Sequence, residues 1–246
     1  MKLQILIFVV YIEQTFIHLS FDWSKLKVVI FDVDGTLYTQ SRLRKKMLFS
    51  LLGFYALRPW RIREMLILHH FRAQREKMIH SQYTDLENTQ YEWCAQKINL
   101  PIEVIKKVVD HWMFTFPIAY LKQCMYPGIH AFFDALRKHH VKIAIYSDYK
   151  AQKKLEAMGL QADLVVCSTD PQIDRLKPDP QGLLYIAKQL HVRADECLFI
   201  GDRYELDGEC AIQAQMPYRI VDKKPYKEFD FYHRITQEMT LNLTKK

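Results

Sequence analysis

The carboxylates of Asp32 and Asp34 stand two residues apart, directly after the run 27–31, which is apolar and rich in β-branched residues beyond Lys27. Such a run predicts a strand buried on both faces, so both carboxylates lie at its carboxyl end. Side chains two apart on a strand point the same way, and like charges that close together require a cation or a shared proton. The alternative is purely structural, because an aspartate followed by Gly35 also forms an ordinary turn.

Three later segments offer partners for these carboxylates. Ser147 and Asp202 each follow a further predicted strand, Asp207 comes five residues after Asp202, and Lys177 precedes a predicted helix. Each has a structural interpretation when taken alone: a helix cap, a turn, or a solvated loop lysine. Because the carboxyl ends of parallel strands share one edge of a sheet, their joint occurrence favours a single site.

The chemistry of the combined set is that of phosphoryl transfer. Asp32, Asp202 and Asp207 provide the oxygen ligands that Mg²⁺ prefers. Ser147 and Lys177, with a helix N-terminus, can hold the oxygens of a phosphate. One aspartate is then available to attack phosphorus and the other to act as general acid and base. Such a reaction depends mainly on positioning and charge neutralisation.

The remaining chain predicts the fold that positions these residues. From residue 127 onward strands and helices alternate, which indicates an α/β fold with a doubly wound, Rossmann-like parallel sheet. Residues 41–121 show helical periodicity only, with Pro59 predicted to open a helix at Trp60 and the stretch 84–87 predicted to begin another. We therefore expect an N-terminal extension at 1–21, a core domain at 22–40 and 122–246, and an all-helical cap domain at 41–121. Residues 238–246 are predicted to form a frayed end.

Taken in order, the four segments resemble the motifs of the haloacid dehalogenase (HAD) superfamily of phosphohydrolases, over roughly residues 26–222. They read DVDGT at 32–36, Ser147, KPDP at 177–180 and GDRYELD at 201–207. The resemblance implies that Asp32 is the nucleophile and Asp34 the general acid and base. It implies that the substrate's phosphoryl group is bound by Thr36, Ser147 and Lys177. It also implies a Mg²⁺ ion held by Asp32, the backbone carbonyl of Asp34, Asp202 and Asp207, the last directly or through water.

Within that superfamily, Asp34 and the insertion define the expected subclass. Members that cleave carbon–halogen bonds replace the second aspartate, because a halide leaving group needs no proton, whereas an alkoxide does. The insertion lies between the first two motifs, since 113 residues separate Asp34 from Ser147 and only 30 separate Ser147 from Lys177. The chain thus resembles phosphoglycolate phosphatase-like members with a C1-type cap. We expect a Mg²⁺-dependent phosphatase that forms an aspartyl-phosphate; the alternatives are a phosphomutase and a non-catalytic binding protein of this fold.

Two positions depart from the family pattern. The family commonly has a glycine before the second-motif strand, where this chain has His139-His140, and Ala-Gly before the last strand, where this chain has Gln215. Both are turn positions, so the departures concern local geometry and not the chemistry.

The amino-acid composition limits the class of protein and the cellular compartment that fit this chain. A length of 246 residues and 49% hydrophobic content allow a large core, and a net charge of +7 favours anionic partners. Five scattered cysteines without a CxxC pair indicate a reducing compartment, and we expect a cytoplasmic protein. The apolar run Leu3–Ile12 is too short to span a bilayer; it is interpreted as a non-native extension, a packed segment or a membrane-associating segment.

The start of the predicted cap is basic. Residues 41–80 contain ten Lys/Arg and two acidic residues, interleaved with aromatic and apolar side chains. Such a face can approach an acidic membrane or a lipid-linked phosphate, but the interpretation favoured here is a solvated basic face over an ordinary cap core. The substrate is thus expected to be a small or lipid-linked phosphate. Nucleic acid is not expected as a partner, His69-His70 lacks spaced metal-binding partners, and the oligomeric state is left open.

Overall fold

The computed structural model describes residues 21–243, and its sheet is built from five short strands. They are β1 (Val28–Phe31), β2 (Lys142–Ser147), β3 (Leu164–Cys167), β4 (Cys197–Gly201) and β5 (Tyr218–Ile220). The order across the sheet is β3-β2-β1-β4-β5, and every neighbouring pair is parallel. The predicted parallel α/β fold is therefore confirmed. Residues 1–20, which carry the apolar run of the predicted extension, lie outside the described residues.

Strand β1 is the centre of the sheet and is buried on both faces. Val29 and Phe31 pack into one hydrophobic layer, and Val28 and Ile30 pack into the other. This two-sided burial explains why the sequence of β1 is continuously apolar rather than alternating. Phe31 is in register with residues of both β2 and β4, so the chain beyond it emerges at the carboxyl edge between two neighbouring strands.

Six α-helices lie between β1 and β2, and the first five of them fall in the region of the predicted insertion. These five are α1 (Gln40–Ala56), α2 (Glu64–Lys77), α3 (Leu86–Ile98), α4 (Ile102–Val109) and α5 (Ile118–Cys124). A separate hydrophobic cluster within them includes Phe71, Tyr91, Ile105 and Trp112, so the insertion has its own core. The division of the chain at residues 41 and 121 stays a prediction.

One of the two predicted helix starts in the insertion is wrong, and the other, at residues 84–87, is confirmed but capped differently. Residues Pro59–Arg61 form a single 3-10 turn, and α2 begins only at Glu64. Helix α3 has no side-chain cap from its own preceding residues. Its first amides, those of Asp85 and Leu86, instead donate to the carboxylate of Asp174 at 3.0 and 2.6 Å. Asp174 belongs to the loop after β3, so the core caps a helix of the insertion.

Five further helices complete the described chain. They are α6 (Ile129–Lys138), α7 (Gln152–Met158), α8 (Gln181–Gln189), α9 (Glu209–Gln213) and α10 (Phe231–Leu243). Helix α10 shows that the predicted fraying from residue 238 is wrong as far as residue 243. Tyr232, Ile235 and Met239 are buried in the core, and Glu238 accepts a hydrogen bond of 2.8 Å from the indole of Trp23. Among residues 21–243, no helix is both long and apolar enough to cross a membrane.

The two departures from the family pattern adopt left-handed backbone conformations. His140 has φ of 58° and Gln215 has φ of 53°. A glycine reaches this region without a steric penalty, and a residue with a Cβ atom does so at a cost of about 1–2 kcal/mol. The turn geometry is therefore kept although the glycines are absent.

Candidate active site

Asp32 lies at the carboxyl end of β1 and is fixed by both backbone and side-chain contacts. Its amide donates to the carbonyl of Ile200 in β4 at 2.9 Å, which continues the sheet by one residue. Its Oδ2 atom accepts a hydrogen bond of 2.9 Å from the Thr36 hydroxyl. Its Oδ1 atom accepts one of 2.7 Å from the Lys177 ammonium. Both oxygens of the predicted nucleophile thus have a defined donor.

Lys177 joins two carboxylates from different loops. Its Nζ atom lies 2.7 Å from Asp32 Oδ1 and 2.8 Å from Asp207 Oδ1, and the residue is 1% exposed. Rings of Tyr146 and Phe199 flank the ammonium at 5.0 and 5.4 Å from their centroids. Burial disfavours the charged ammonium, but the two carboxylates outweigh that effect and hold the Lys177 pKa well above its ordinary value.

Three buried carboxylates, those of Asp32, Asp202 and Asp207, converge at this edge of the sheet. Each offers an oxygen within 4.8 Å of the other two. Asp207 is oriented by the amides of Asp202 and Arg203, which donate to its Oδ2 atom at 3.1 and 3.0 Å. Burial and mutual repulsion raise the pKa of Asp32 to about 8 and that of Asp202 to about 6. Such a set of oxygen donors fits a hard divalent cation, and Mg²⁺ is the ion this family chemistry implies.

Glycines make room for the convergence. A Cβ atom on Gly35, which has φ of 104°, would overlap the Asp202 carboxylate. A Cβ atom on Gly201 would overlap the side chain of Asp207. The glycine in each motif is therefore needed for close approach of backbone to carboxylate, and not only for the turn.

Asp34 lies in a different environment from Asp32. The Lys154 ammonium lies 2.6 Å from Asp34 Oδ1 and 2.7 Å from Oδ2, and the Tyr38 hydroxyl also donates to Oδ1. Burial acts to raise the pKa of Asp34, but Lys154 and these hydrogen bonds outweigh it and lower the pKa. The backbone carbonyl of Asp34, a predicted metal ligand, accepts a hydrogen bond of 2.6 Å from the Gln40 amide.

A cavity of about 200 Å³ opens onto these groups. The core contributes Asp32, Asp34, Lys177, Asp202 and Asp207 to its wall. The helices of the insertion contribute both cations and apolar groups, namely Leu43, Arg44, Met47, Arg72, Arg75, Met113 and Phe114. The cavity therefore lies between the sheet edge and the inserted helices.

Two predicted phosphate-binding residues are not among the residues that line this cavity. Thr36 is fully buried and donates its hydroxyl to Asp32. Ser147 is also buried, and its Oγ atom accepts a hydrogen bond of 3.3 Å from the amide of Tyr149. In this conformation Thr36 supports the nucleophile and Ser147 supports the turn after β2.

Sequence reasoning missed Lys154 and Arg75. The signal for Lys154 was present, because it lies on the apolar face of α7 with Ala151, Leu155 and Met158, where a lysine needs an anionic partner. Arg75 had no comparable signal among the many cations of the insertion. It is buried, donates to the Asp148 carbonyl at 2.8 Å and stacks on the Tyr149 ring.

One curated protein is similar in sequence to about half of this chain. A protein of Bacillus subtilis (strain 168) named "Putative phosphatase YhcW" is 29% identical over 126 residues, which is 48% of this chain and 56% of that protein. The chain thus matches little more than half the length of that relative.

Solved structures show the same fold. A HAD phosphatase from Thermococcus onnurineus is similar with a TM-score of 0.54 and 21% identity, over 81% of this chain and 87% of that one. A 2-haloacid dehalogenase from Pseudomonas syringae pv. Tomato DC3000 is similar with a TM-score of 0.55 and 17% identity, over 82% and 89%. Because proteins with different reactions share it, the fold alone does not assign the substrate.

A family model covers most of the chain. Residues 26–215 match the model described as haloacid dehalogenase-like hydrolase, a range that contains all four motifs and both of the missed residues. The chain belongs to the haloacid dehalogenase-like hydrolase family.

Proposed function

We propose that this protein is a Mg²⁺-dependent phosphatase that hydrolyses a phosphate monoester through an aspartyl-phosphate on Asp32. The observation that carries the proposal is the presence of a second carboxylate, Asp34, in the wall of the same cavity as Asp32. An alkoxide leaving group needs a proton, whereas a halide does not. A carboxylate beside the nucleophile therefore favours phosphate monoesters over haloacids as substrates.

In the first half-reaction, an Asp32 oxygen attacks phosphorus, the phosphorus–oxygen bond to the alcohol breaks, and Asp34 gives the alkoxide its proton. In the second, Asp34 takes a proton from water, the hydroxide attacks phosphorus, and Asp32 is released with inorganic phosphate. Asp32 needs little movement to begin, because Thr36 and Lys177 already fix its two oxygens. Lys177 provides positive charge where the phosphoryl oxygens become more negative.

The cation site is part of the proposal. Asp32, Asp202 and Asp207 would hold Mg²⁺, which neutralises charge on the nucleophile and the phosphoryl group when bound. Two lysines of the described chain neutralise the cluster in part: Lys177 faces Asp32 and Asp207, and Lys223 lies 3.5 Å from Asp202.

The residues around Asp34 support its double role. In the described geometry Lys154 and Tyr38 stabilise the carboxylate form, which is the form that activates water. A bound phosphate dianion competes with Asp34 for the Lys154 ammonium and adds negative charge beside Asp34. Both effects raise the Asp34 pKa and favour the protonated form that the first half-reaction requires.

The proposal extends to the subgroup of the family, the substrate class and the location of the protein. We assign the chain to the phosphoglycolate phosphatase-like subgroup with a C1-type cap, on the position of α1–α5 between β1 and β2. The substrate is a small phosphorylated compound, since the cavity measures about 200 Å³. A cytoplasmic location is supported by five buried, free cysteines, which persist in a reducing compartment.

A screen of phosphorylated metabolites with Mg²⁺ tests the proposal, with release of inorganic phosphate as the readout. The wild type should release phosphate from at least one ester, and Asp32→Asn should not. Transfer of the phosphoryl group to a second hydroxyl of the substrate, with dependence on a bisphosphate, would identify a phosphomutase instead. Release of halide from a 2-haloacid without phosphatase activity would contradict the proposal, as would equal activity in the wild type and Asp32→Asn.

A further inference from the structure

Most of the exposed large apolar side chains of the described residues lie between residues 48 and 66, on α1, at the start of α2 and in the turn between them. Eight large apolar side chains are exposed there, three of them by about three quarters: Phe49 at 74%, Leu57 at 75% and Trp60 at 74%. We call this the α1–α2 apolar surface; its members are Leu48, Phe49, Leu52, Leu57, Trp60, Ile62, Met65 and Leu66. Such a concentration of exposed apolar side chains is typical of a site that contacts another protein or a membrane.

This surface is separate from the hydrophobic core of the insertion. Leu43, Met47 and Tyr55 on α1 point inward and are buried. Leu48 and Leu52 are one helical turn apart on the outward side of the same helix. Helix α1 is therefore apolar on two sides, and the outward side is not required for packing the fold.

The charges around the α1–α2 apolar surface are almost all positive. Residues 41–66 contain seven Lys/Arg and one acidic residue, Glu64. Glu64 does not offset the outward charge, because Arg61 binds it at 2.6 Å and Tyr55 donates to it. The exposed cations among the seven are Arg44, Lys45, Arg58 and Arg63.

We propose that the α1–α2 apolar surface docks this protein onto an anionic lipid bilayer. Amphipathic helices with Trp, Phe and Leu on one side and Lys or Arg around them lie at the boundary between headgroups and acyl chains. Clustered cations add attraction to anionic lipids. The exposed aromatic groups fit the apolar boundary of such a bilayer, and the cations fit its anionic headgroups.

The shape of the surface favours a bilayer over a protein partner. Phe49, Leu57 and Trp60 project into solvent by three quarters of their area, whereas the side chains of a groove are half-covered by its walls. A protein partner would need a matching pocket for each projecting group. A bilayer interface accommodates projecting groups without a preformed pocket.

The most exposed part of the surface, at Leu57 and Trp60, lies beyond the end of α1 that is far from the catalytic residues. The first residue of α1, Gln40, binds the carbonyl of Asp34, and the surface is centred on the other end of the helix. A 17-residue α-helix is about 25 Å long. None of the eight side chains of the surface lines the cavity, so the proposal does not depend on the identity of the substrate or on the proposed function.

Vesicle co-sedimentation of the full chain tests the proposal. The probes are phosphatidylcholine vesicles with and without phosphatidylserine. The wild type should sediment with the anionic vesicles and much less with the neutral ones. The double variant Leu57→Ser/Trp60→Ser should lose about tenfold or more in partitioning, since two of the most exposed apolar groups are removed. Arg58→Gln/Arg63→Gln should weaken binding to anionic vesicles and make the remaining binding less sensitive to salt.

Two controls make the result specific. Leu241→Ser changes another exposed leucine, 61% exposed on α10, and should bind vesicles like the wild type. Thermal unfolding of every variant should match the wild type, because the changed side chains are exposed. Trp60 fluorescence should shift to shorter wavelength on addition of anionic vesicles, and Trp60→Phe should abolish the shift while keeping binding.

Several outcomes would overturn the proposal. The first is a wild type that fails to sediment with anionic vesicles. The second is a double variant, Leu57→Ser/Trp60→Ser, that binds these vesicles as well as the wild type. The binding site would then lie elsewhere in the chain, such as the apolar run Leu3–Ile12. A third is self-association: light scattering shows a dimer that the double variant abolishes, with no vesicle binding. In that case the α1–α2 apolar surface is an interface between two copies of the chain.

Discussion

The ammonium of Lys154 contacts both carboxylate oxygens of Asp34, at 2.6 and 2.7 Å. The two residues are 120 positions apart in the sequence and come from different connections of the sheet, the turn after β1 and helix α7. The predicted general acid and base is therefore held as an ion pair inside the cavity, while the predicted nucleophile is paired with a different lysine, Lys177.

We expect Lys154→Met to lower kcat/KM for the phosphate ester by about tenfold or more, because a cation in a water-poor cavity is lost. The variant also removes the charge that lowers the Asp34 pKa, so this pKa should rise. Water activation needs the Asp34 carboxylate and is lost as pH falls through its pKa. The acid limb of the kcat profile should therefore move to higher pH. Lys153→Met, at the exposed neighbouring position, is the matched control; equal profiles for both variants would disprove the role of Lys154.

Replacement of Asp34 should separate the two half-reactions. Asp34→Asn removes the proton donor and the water-activating base but leaves Asp32 in place, so kcat/KM for an alkyl phosphate, which reports the first half-reaction, should fall by about 10²–10⁴-fold. The loss should be smaller for an ester with an acidic alcohol such as p-nitrophenol, because that leaving group needs little protonation. Turnover of p-nitrophenyl phosphate and of an alkyl phosphate measures the difference. An equal loss for both esters would contradict the acid role.

The carboxylate cluster should cost stability when no cation is bound. The pKa of Asp202 is about 6 in the folded protein, whereas the ordinary value is 3.8. Protonation of Asp202 therefore stabilises the folded state fully below about pH 4, and this stabilisation is lost as the pH rises through 6. At pH 7 in EDTA, Asp202→Asn should therefore raise the free energy of unfolding by about 1–2 kcal/mol. This is less than the pKa shift of Asp202 alone implies, because Lys223 at 3.5 Å offsets part of the repulsion between the carboxylates.

Urea unfolding measures this effect. Added Mg²⁺ should raise the unfolding midpoint of the wild type, because the ion binds only the folded cluster, and should raise that of Asp202→Asn much less. EDTA should abolish phosphatase activity, and Mg²⁺ should restore it. The same midpoint for both proteins in EDTA, with the same response to Mg²⁺, would exclude the cluster as the cation site.

Helix α10 should contribute to the geometry of the first motif. The Tyr232 hydroxyl donates to the Thr36 carbonyl at 2.7 Å, and both groups are buried. Tyr232→Phe leaves that carbonyl without its donor and should lower the free energy of unfolding by about 1–2 kcal/mol. Tyr185→Phe, at a half-buried tyrosine of α8, is the comparison variant. Urea unfolding measures both, and no difference between them would show that the hydrogen bond is not needed.

The parts of the structure that local patterns determine could be predicted. The apolar sequence of β1 reflects burial of Val29 and Phe31 on one face and Val28 and Ile30 on the other. Because the strand ends share one edge, Asp32, Asp202, Asp207 and Lys177 come together as the motif spacing indicates.

The missed features depend on contacts between distant parts of the chain. The cap of α3 comes from Asp174, 88 residues beyond Leu86, so the local sequence around Thr84 gives no sign of it. Helix α10 has a weak local pattern and is held by tertiary contacts such as that between Trp23 and Glu238. The orientation of Ser147 toward the turn, rather than the cavity, is a side-chain choice that motif position does not determine.

Identification of the phosphorylated residue tests the central claim most directly. Enzyme mixed with substrate and Mg²⁺ is quenched in acid, digested and analysed by mass spectrometry for a phosphoryl group. The account predicts the group on the peptide that contains Asp32, more of it in Asp34→Asn, in which water activation is lost, and none in Asp32→Asn. A phosphoryl group on any other residue, or substrate hydrolysis by Asp32→Asn at the wild-type rate, would contradict it.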